Sequence, residues 1–134
     1  MTNQKKTILL VDDDPDYLLQ TRIKLEGYGY KVDTADSQKE AEIMLDRLKP
    51  DLALIDLMME NEDSGFILCY KIRKKYPDVP IIIATAVAAE TGIQFDIHDE
   101  NNKQWIKADV FLDKGVRSDV LKNEIEKLLA QKPL

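Results

Sequence analysis

Four carboxylates, a hydroxyl and an ammonium stand out by type and setting. Asp12, Asp13 and Asp14 follow the apolar run Ile8-Leu-Leu-Val11, and Asp56 closes LALID. Thr85 closes IIIAT, and Lys114 follows VFLD. Two or three carboxylates with water form a hard oxygen site suited to Mg²⁺ (or Mn²⁺), with positions left for phosphate oxygens. A carboxylate can also attack phosphorus and form an aspartyl-phosphate. An ammonium neutralises charge on the phosphoryl oxygens during in-line transfer. A hydroxyl nearby can hydrogen-bond a phosphate oxygen and report its arrival.

Such chemistry needs these residues at one place, so the elements that carry them matter. Short apolar runs cover Thr7–Val11, Tyr30–Thr34, Leu52–Ile55, Ile81–Thr85 and Val110–Leu112. The runs at 52–55 and 81–84 show no apolar/polar alternation, as suits strands buried on both faces of a parallel sheet. Helical patterns lie between them. Asp14-Pro15 places a capping residue before a proline at the first helical position, and Gly27 and Gly29 end that helix. Ser37-x-x-Glu40 reads as a capping box ahead of Ala41, Leu45 and Leu48, with Pro50 as the stop. A third helix covers roughly Ser64–Tyr76, closed by Pro77, and a last one follows Ser118 with Leu121, Ile125, Leu128 and Leu129 on one face. The alternation predicts an α/β fold: a flavodoxin-like three-layer sandwich with a five-stranded parallel sheet of order 2-1-3-4-5 and helices on both faces. Ligands in such sheets sit beyond the carboxyl ends of the strands, where all the groups above fall. One segment breaks the rhythm. Thr91-Gly92 and the polar run Asp96–Asn102 interrupt the helix expected between the fourth and fifth strands. Most of Glu90–Asn102 reads as a long loop, with a short helix near Lys103–Lys107.

The chain has 134 residues, so one domain over 1–134 is expected, without a fused effector. Hydrophobic residues at 44% and charged residues at 33% describe an ordered globular chain. The net charge, 19 − 25 = −6, argues against direct binding to nucleic acid or an anionic membrane. A single cysteine, Cys69, cannot form an internal disulfide and fits a reducing compartment. The apolar run Ile8–Val11 is too short for a signal-peptide core, so a cytoplasmic location is expected.

The ordered set ILLVDDD, LALIDLMM, IIIATA and FLDK resembles the receiver domain of bacterial two-component response regulators across essentially the whole chain. The resemblance implies Asp56 as phospho-acceptor. Asp12 and Asp13 would be the acidic pair that holds Mg²⁺ with Asp56, and the Met58 backbone carbonyl a further ligand. Thr85 would be the switch hydroxyl, Lys114 the phosphate-pairing lysine, and Phe111 the aromatic whose rotamer follows activation. Met59 matches the methionine of the family's D-x-x-M-P pattern. The implied donor is a sensor histidine kinase or a phosphotransfer protein, with output through a separate protein. The implied state is a monomer by default, with phosphorylation-dependent dimerisation left open. Such a protein promotes only its own phosphorylation and dephosphorylation and is not otherwise an enzyme.

Four departures from the pattern carry expectations. Glu60 replaces the usual proline, and Gly65 arrives about one residue late, so Glu60, Glu62 and Asp63 are expected to add negative charge near the phosphate. Gly115 replaces the proline whose bond to the lysine is typically cis, and either isomer is compatible with glycine. The stretch from Thr85 to Lys114 spans 29 positions (114 − 85), so a long loop of about 88–107 is expected to replace or shorten the helix of the output face. Met58 and Val87, two residues past Asp56 and Thr85, are apolar and would shield a phosphoryl group, which predicts slow self-dephosphorylation.

The remaining residues with chemical potential read as structural. His98 lies in a polar loop, Cys69 in an apolar helix, Trp105 as an anchor of the long loop, and Lys71–Lys75 as a solvated helix face. Two other functions compete with the receiver. A haloacid-dehalogenase-type phosphohydrolase would use Asp12-x-Asp14 with Asp12 as nucleophile, but Pro15-Asp16 departs from its motif and Asp56 would be idle. An adaptor that keeps the fold without phosphorylation is motivated by Gly115 and Glu60, and opposed by the intact Asp/Asp/Thr/Lys set.

Overall fold

A computed structural model describes residues 5–61, 63–85 and 108–130, and among them lie five parallel strands and four helices. The strands are β1 (Thr7–Val11), β2 (Lys31–Ala35), β3 (Leu52–Asp56), β4 (Ile81–Thr85) and β5 (Val110–Asp113). The helices are α1 (Pro15–Gly27), α2 (Gln38–Leu45), α3 (Ser64–Lys75) and α4 (Ser118–Ala130). The sheet order is β2-β1-β3-β4-β5, as the alternation predicts. The segment expected to form a long loop, about 88–107 with His98 and Trp105, lies outside the described residues, as do Val87 and Glu62.

The continuous apolar runs are explained by burial on both faces. Successive strand residues point to opposite sides. Leu9, Val11, Ala53, Ile55, Ile81 and Ile83 join the core beneath α2 and α3, with Ala41, Leu45, Leu68, Cys69 and Ile72. Ile8, Leu10, Leu52, Leu54, Ile82 and Ala84 join the core beneath α1 and α4, with Leu25, Leu121 and Ile125. The central strands β3 and β4 are buried throughout, while the flanking β2 and β5 are only partly so. Cys69 is a core residue, as expected from its apolar helix.

Local signals place the helix ends. Asp14 caps α1: its carboxylate accepts from the N–H groups of Asp16 (3.0 Å) and Tyr17 (3.4 Å), with Pro15 at the first helical position. At the far end Gly29 takes φ +100°, the Gly29 N–H donates to Glu26 O and the Tyr30 N–H to Leu25 O. That paired geometry is the Schellman stop, and the positive φ is what calls for glycine there. Ser37 Oγ caps α2 at the Glu40 N–H (3.0 Å), but the Glu40 carboxylate reaches back to Asp36 rather than to Ser37. Helix α2 ends at Leu45, before Leu48 and Pro50, and the Tyr76 hydroxyl donates to the Leu45 carbonyl at 2.8 Å.

The basic run of α3 is more than a solvated face. Lys71 and Lys75 pair with Glu42 and Asp46 of the α2 segment at 2.9 and 2.6 Å. Arg73 donates to the carbonyls of Pro77 and Val79 and pairs with Asp109 at 2.8 Å, while Asp109 also accepts from the Ile81 N–H. These contacts tie the end of α3 to the entry of β4 and β5.

Candidate functional site

Strand register brings the chemical groups together. Val11 aligns with Ile55, Asp56 with Ala84, and Thr85 with Asp113. Asp12, Asp56, Thr85 and Lys114 therefore emerge within about one residue of each other at the carboxyl edge of the sheet. Asp12, Asp56 and Thr85 are buried there, while Asp13 is exposed. Carboxylate oxygens of Asp12, Asp13 and Asp56 lie within 4.8 Å of one another.

Lys114 joins the two buried acids. Its Nζ lies 2.7 Å from Asp12 Oδ2 and 3.2 Å from Asp56 Oδ1, with the side chain 20% exposed. The ammonium is thus the partner of buried Asp12 Oδ2. The other oxygen, Oδ1, accepts from the Asp14 N–H at 2.9 Å. Asp14 turns to α1 as its cap and stays outside the acidic cluster.

The electrostatics follow from burial and crowding. Burial pushes the Asp56 carboxyl up, the adjacent Asp12 charge adds to that, and Lys114 offsets only part, leaving it at about 6 against an ordinary 3.8. Asp12 is also raised, by burial first and by Asp13 in addition, against the opposing pull of Lys114 and the Asp14 N–H. Burial alone would lower Lys114, but the two carboxylates outweigh it and hold its pKa above the ordinary value. The site carries more negative charge than one ammonium balances.

The loop after β3 is shaped by two residues. Gly65 donates its N–H to Leu57 O at 2.7 Å, and a Cβ at this position would meet Asp56 O at 2.5 Å and Leu57 Cα at 2.6 Å. Only glycine lets α3 begin this close to the acceptor strand. Glu60 corrects an expectation. Its carboxylate does not face the acidic cluster but accepts from the N–H groups of Gln38 (2.8 Å) and Lys39 (3.1 Å) at the start of α2. Burial pushes the Glu60 carboxyl up, but bonds from Gln38, its own backbone and Lys39 prevail and hold it below the ordinary range. An acid is favourable at a helix N-terminus, where backbone donors lack partners. Asp63 likewise lies outside the cluster.

Of the other residues singled out, Phe111 is half-buried and packs against Phe66, with ring centroids 6.2 Å apart and planes at 58°. Met59 packs against the same core, and the Met58 side chain is 39% exposed beside the acceptor. The Lys114–Gly115 bond is trans. The structure brings in three residues to which the sequence motifs assign no role. Tyr17 places its ring centroid 4.7 Å from Lys114 Nζ. Asp113 Oδ1 accepts from the Gly115 N–H at 2.7 Å. Ser64, fully buried at the start of α3, accepts from the Asn61 N–H at 2.9 Å. An Asp two residues ahead of a glycine was a readable turn signal, whereas nothing in the local sequence points Tyr17 at a lysine 97 positions away (114 − 17).

Comparison with known proteins decides the family. The response regulator receiver domain family matches over residues 8–126. The chain belongs to that family. Among curated proteins, the transcriptional regulatory protein GlrR of Escherichia coli is 42% identical over 86 residues, covering 64% of this chain and 19% of GlrR. A probable transcriptional regulator ycf27 of Porphyridium aerugineum is 33% identical over 128 residues, covering 94% of this chain and 49% of its own length. This receiver thus spans less than half of these relatives. Among solved structures, a response regulator receiver domain protein (CheY-like) from Methanospirillum hungatei superposes with TM-score 0.81 at 26% identity, covering 96% of this chain and 97% of the other. The response regulator TrrA from Thermotoga maritima, solved with Mg²⁺ and BeF, superposes with TM-score 0.75 at 30% identity, covering 92% and 98%. The hydrolase alternative with Asp12 as nucleophile falls with the family match. Among the described residues no helix is long and apolar enough to cross a membrane.

Proposed function

We propose that this receiver accepts a phosphoryl group on Asp56 in a Mg²⁺-dependent reaction and passes the change to a separate protein. The observation that carries the reading is Lys114 drawn between buried Asp12 and Asp56, with Asp13 completing an oxygen cluster at the sheet edge. The donor set fits the metal: three carboxylates whose oxygens lie within 4.8 Å of one another, two of them buried and with raised affinity for protons. Asp12, Asp13 and Asp56 would hold it, with the Met58 carbonyl as a further ligand. When bound, Mg²⁺ supplies positive charge that neutralises phosphoryl oxygens during transfer.

The chain's own residues do the rest. Asp56, ionised near neutral pH, attacks phosphorus through a carboxylate oxygen. The bond from phosphorus to the donor breaks, and the donor, a phosphohistidine of a sensor kinase or phosphotransfer protein, leaves with the electron pair and takes a proton. Lys114 transfers its pairing from the two carboxylates to the incoming oxygens. Thr85, one residue beyond the Asp56 partner on β4, donates its hydroxyl to the new phosphoryl group. Phe111, on the neighbouring strand and packed against Phe66, changes its packing in response and so alters the surface offered to the downstream partner. Leu19 and Ile23, exposed one turn apart on α1, offer apolar surface for the donor to contact.

Incubation with Mg²⁺ and acetyl phosphate, followed by intact mass measurement, tests this reading. The wild type is expected to gain one phosphoryl group, and Asp56→Asn none. Equal uptake by both proteins would refute it. A wild type that takes up nothing from acetyl phosphate or from a phosphohistidine donor would favour the adaptor.

A further inference from the structure

We propose that Tyr17 is a positioning residue for phosphoryl transfer, its ring face and the Asp113–Gly115 turn together aiming Lys114 at the acidic pair. The inference rests on the reading that Lys114 pairs with the incoming phosphoryl group. Lys114 is the second residue of a turn fixed at three points. Its N–H donates to Thr85 O at 3.1 Å, the Val116 N–H donates to Asp113 O at 3.0 Å, and the Gly115 N–H donates to Asp113 Oδ1 at 2.7 Å. The last bond requires an N–H at 115, which glycine has and proline lacks. This turn sets where the lysine starts but not where its four-carbon stem ends.

The ring supplies the second constraint. Lys114 Nζ sits 4.7 Å from the Tyr17 centroid, within the range where an ammonium is attracted by an aromatic face. Tyr17 is itself held: it is half-buried and packs against the α1/α4 core, with buried Thr21 one turn on along the same helix. Tyr17 and Lys114 line one small cavity between α1 and the β5–α4 connection, together with Thr21, Ala84 and Leu121. The ammonium is thus bounded by two carboxylates on one side and a neutral ring on the other. Entry of positive charge among Asp12, Asp13 and Asp56 weakens the hold of the carboxylates on Lys114. The attraction of the ring is unchanged by that charge, so the ammonium stays beside Asp56 rather than swinging to solvent.

The test compares wild type with Tyr17→Phe, which keeps the ring, and with Tyr17→Leu and Tyr17→Met, which fill the space without one. In the metal-free protein, NMR of the lysine side chains is expected to show the Lys114 ε-methylene protons shifted upfield of the other lysines in wild type and Tyr17→Phe, and not in the Leu or Met variants. With saturating Mg²⁺ and acetyl phosphate, the Leu and Met variants are expected to be phosphorylated about fivefold more slowly, with Tyr17→Phe close to wild type. A Lys114 signal without a ring shift in wild type overturns the geometry. A wild-type rate in either ringless variant that remains folded overturns the positioning role. Failure of the acceptor reading has a different signature: the wild type itself takes up no phosphoryl group while its ring shift persists, and the positioning role falls with it.

Discussion

Removing the acceptor charge is expected to stabilise the metal-free protein. Asp56 is 7% exposed, faces Asp12, and has its carboxyl raised to about 6 from 3.8. At about 1.4 kcal/mol per pH unit, ionising it in the folded state costs about 3 kcal/mol relative to the unfolded chain. The sign follows from the direction. A folded pKa above the unfolded one gives stability that is full below 3.8 and lost as pH rises through about 6. Asp56→Asn keeps the shape, and its amide oxygen can still accept from Lys114. In chelator, the variant is therefore expected to match wild type near about pH 4 and to exceed it by up to about 3 kcal/mol near about pH 8. Urea unfolding across that range is the assay. Added Mg²⁺ is expected to raise wild type alone, since binding to the folded state adds stability by mass action. A variant no more stable than wild type at the upper pH in chelator would refute the argument. So would an advantage that does not change with pH.

Three further outcomes follow from the loop after β3. Gly65→Ala is expected to lose about 3 kcal/mol in urea unfolding, because its Cβ would meet backbone atoms of Asp56 and Leu57 that cannot move aside. Glu60→Ala is expected to lose about 1 kcal/mol at neutral pH, the usual worth of a helix N-terminal acceptor. Its lowered carboxyl makes that contribution present above 4.5 and lost as pH falls further, so the two proteins should converge in acid. Met58→Asn is expected to shorten the lifetime of the phosphorylated protein, because a polar group beside the acceptor can place a water that an exposed apolar side chain does not. Decay of the phosphorylated mass with time measures it.

Much of the fold was readable because its signals are local. The unbroken apolar runs at 52–55 and 81–84 announce strands covered on both sides, and Asp14-Pro15 and Ser37 announce helix starts. The acidic site was readable because each group sits at a strand end, and a parallel sheet gathers strand ends at one edge. What escaped depends on side-chain direction. Glu60 lies four residues past Asp56, which places its charge near the site by spacing alone, yet the α2 N-terminus offers free N–H groups that draw the carboxylate the other way. The partnership of Tyr17 with Lys114 spans distant parts of the chain and no spacing rule encodes it. The Lys71–Lys75 run reads as solvated from its charges alone, but the acids that pair with it lie on another helix and near β5.

The central claim is that the phosphoryl group resides on Asp56, and its most direct measurement locates the bond. Borohydride reduces an aspartyl-phosphate to homoserine, which marks the residue permanently. After phosphorylation with acetyl phosphate and Mg²⁺, reduction and peptide mass spectrometry are expected to find homoserine at position 56 and nowhere else. Homoserine at position 12 or 13, with Asp56 unchanged, would contradict the account.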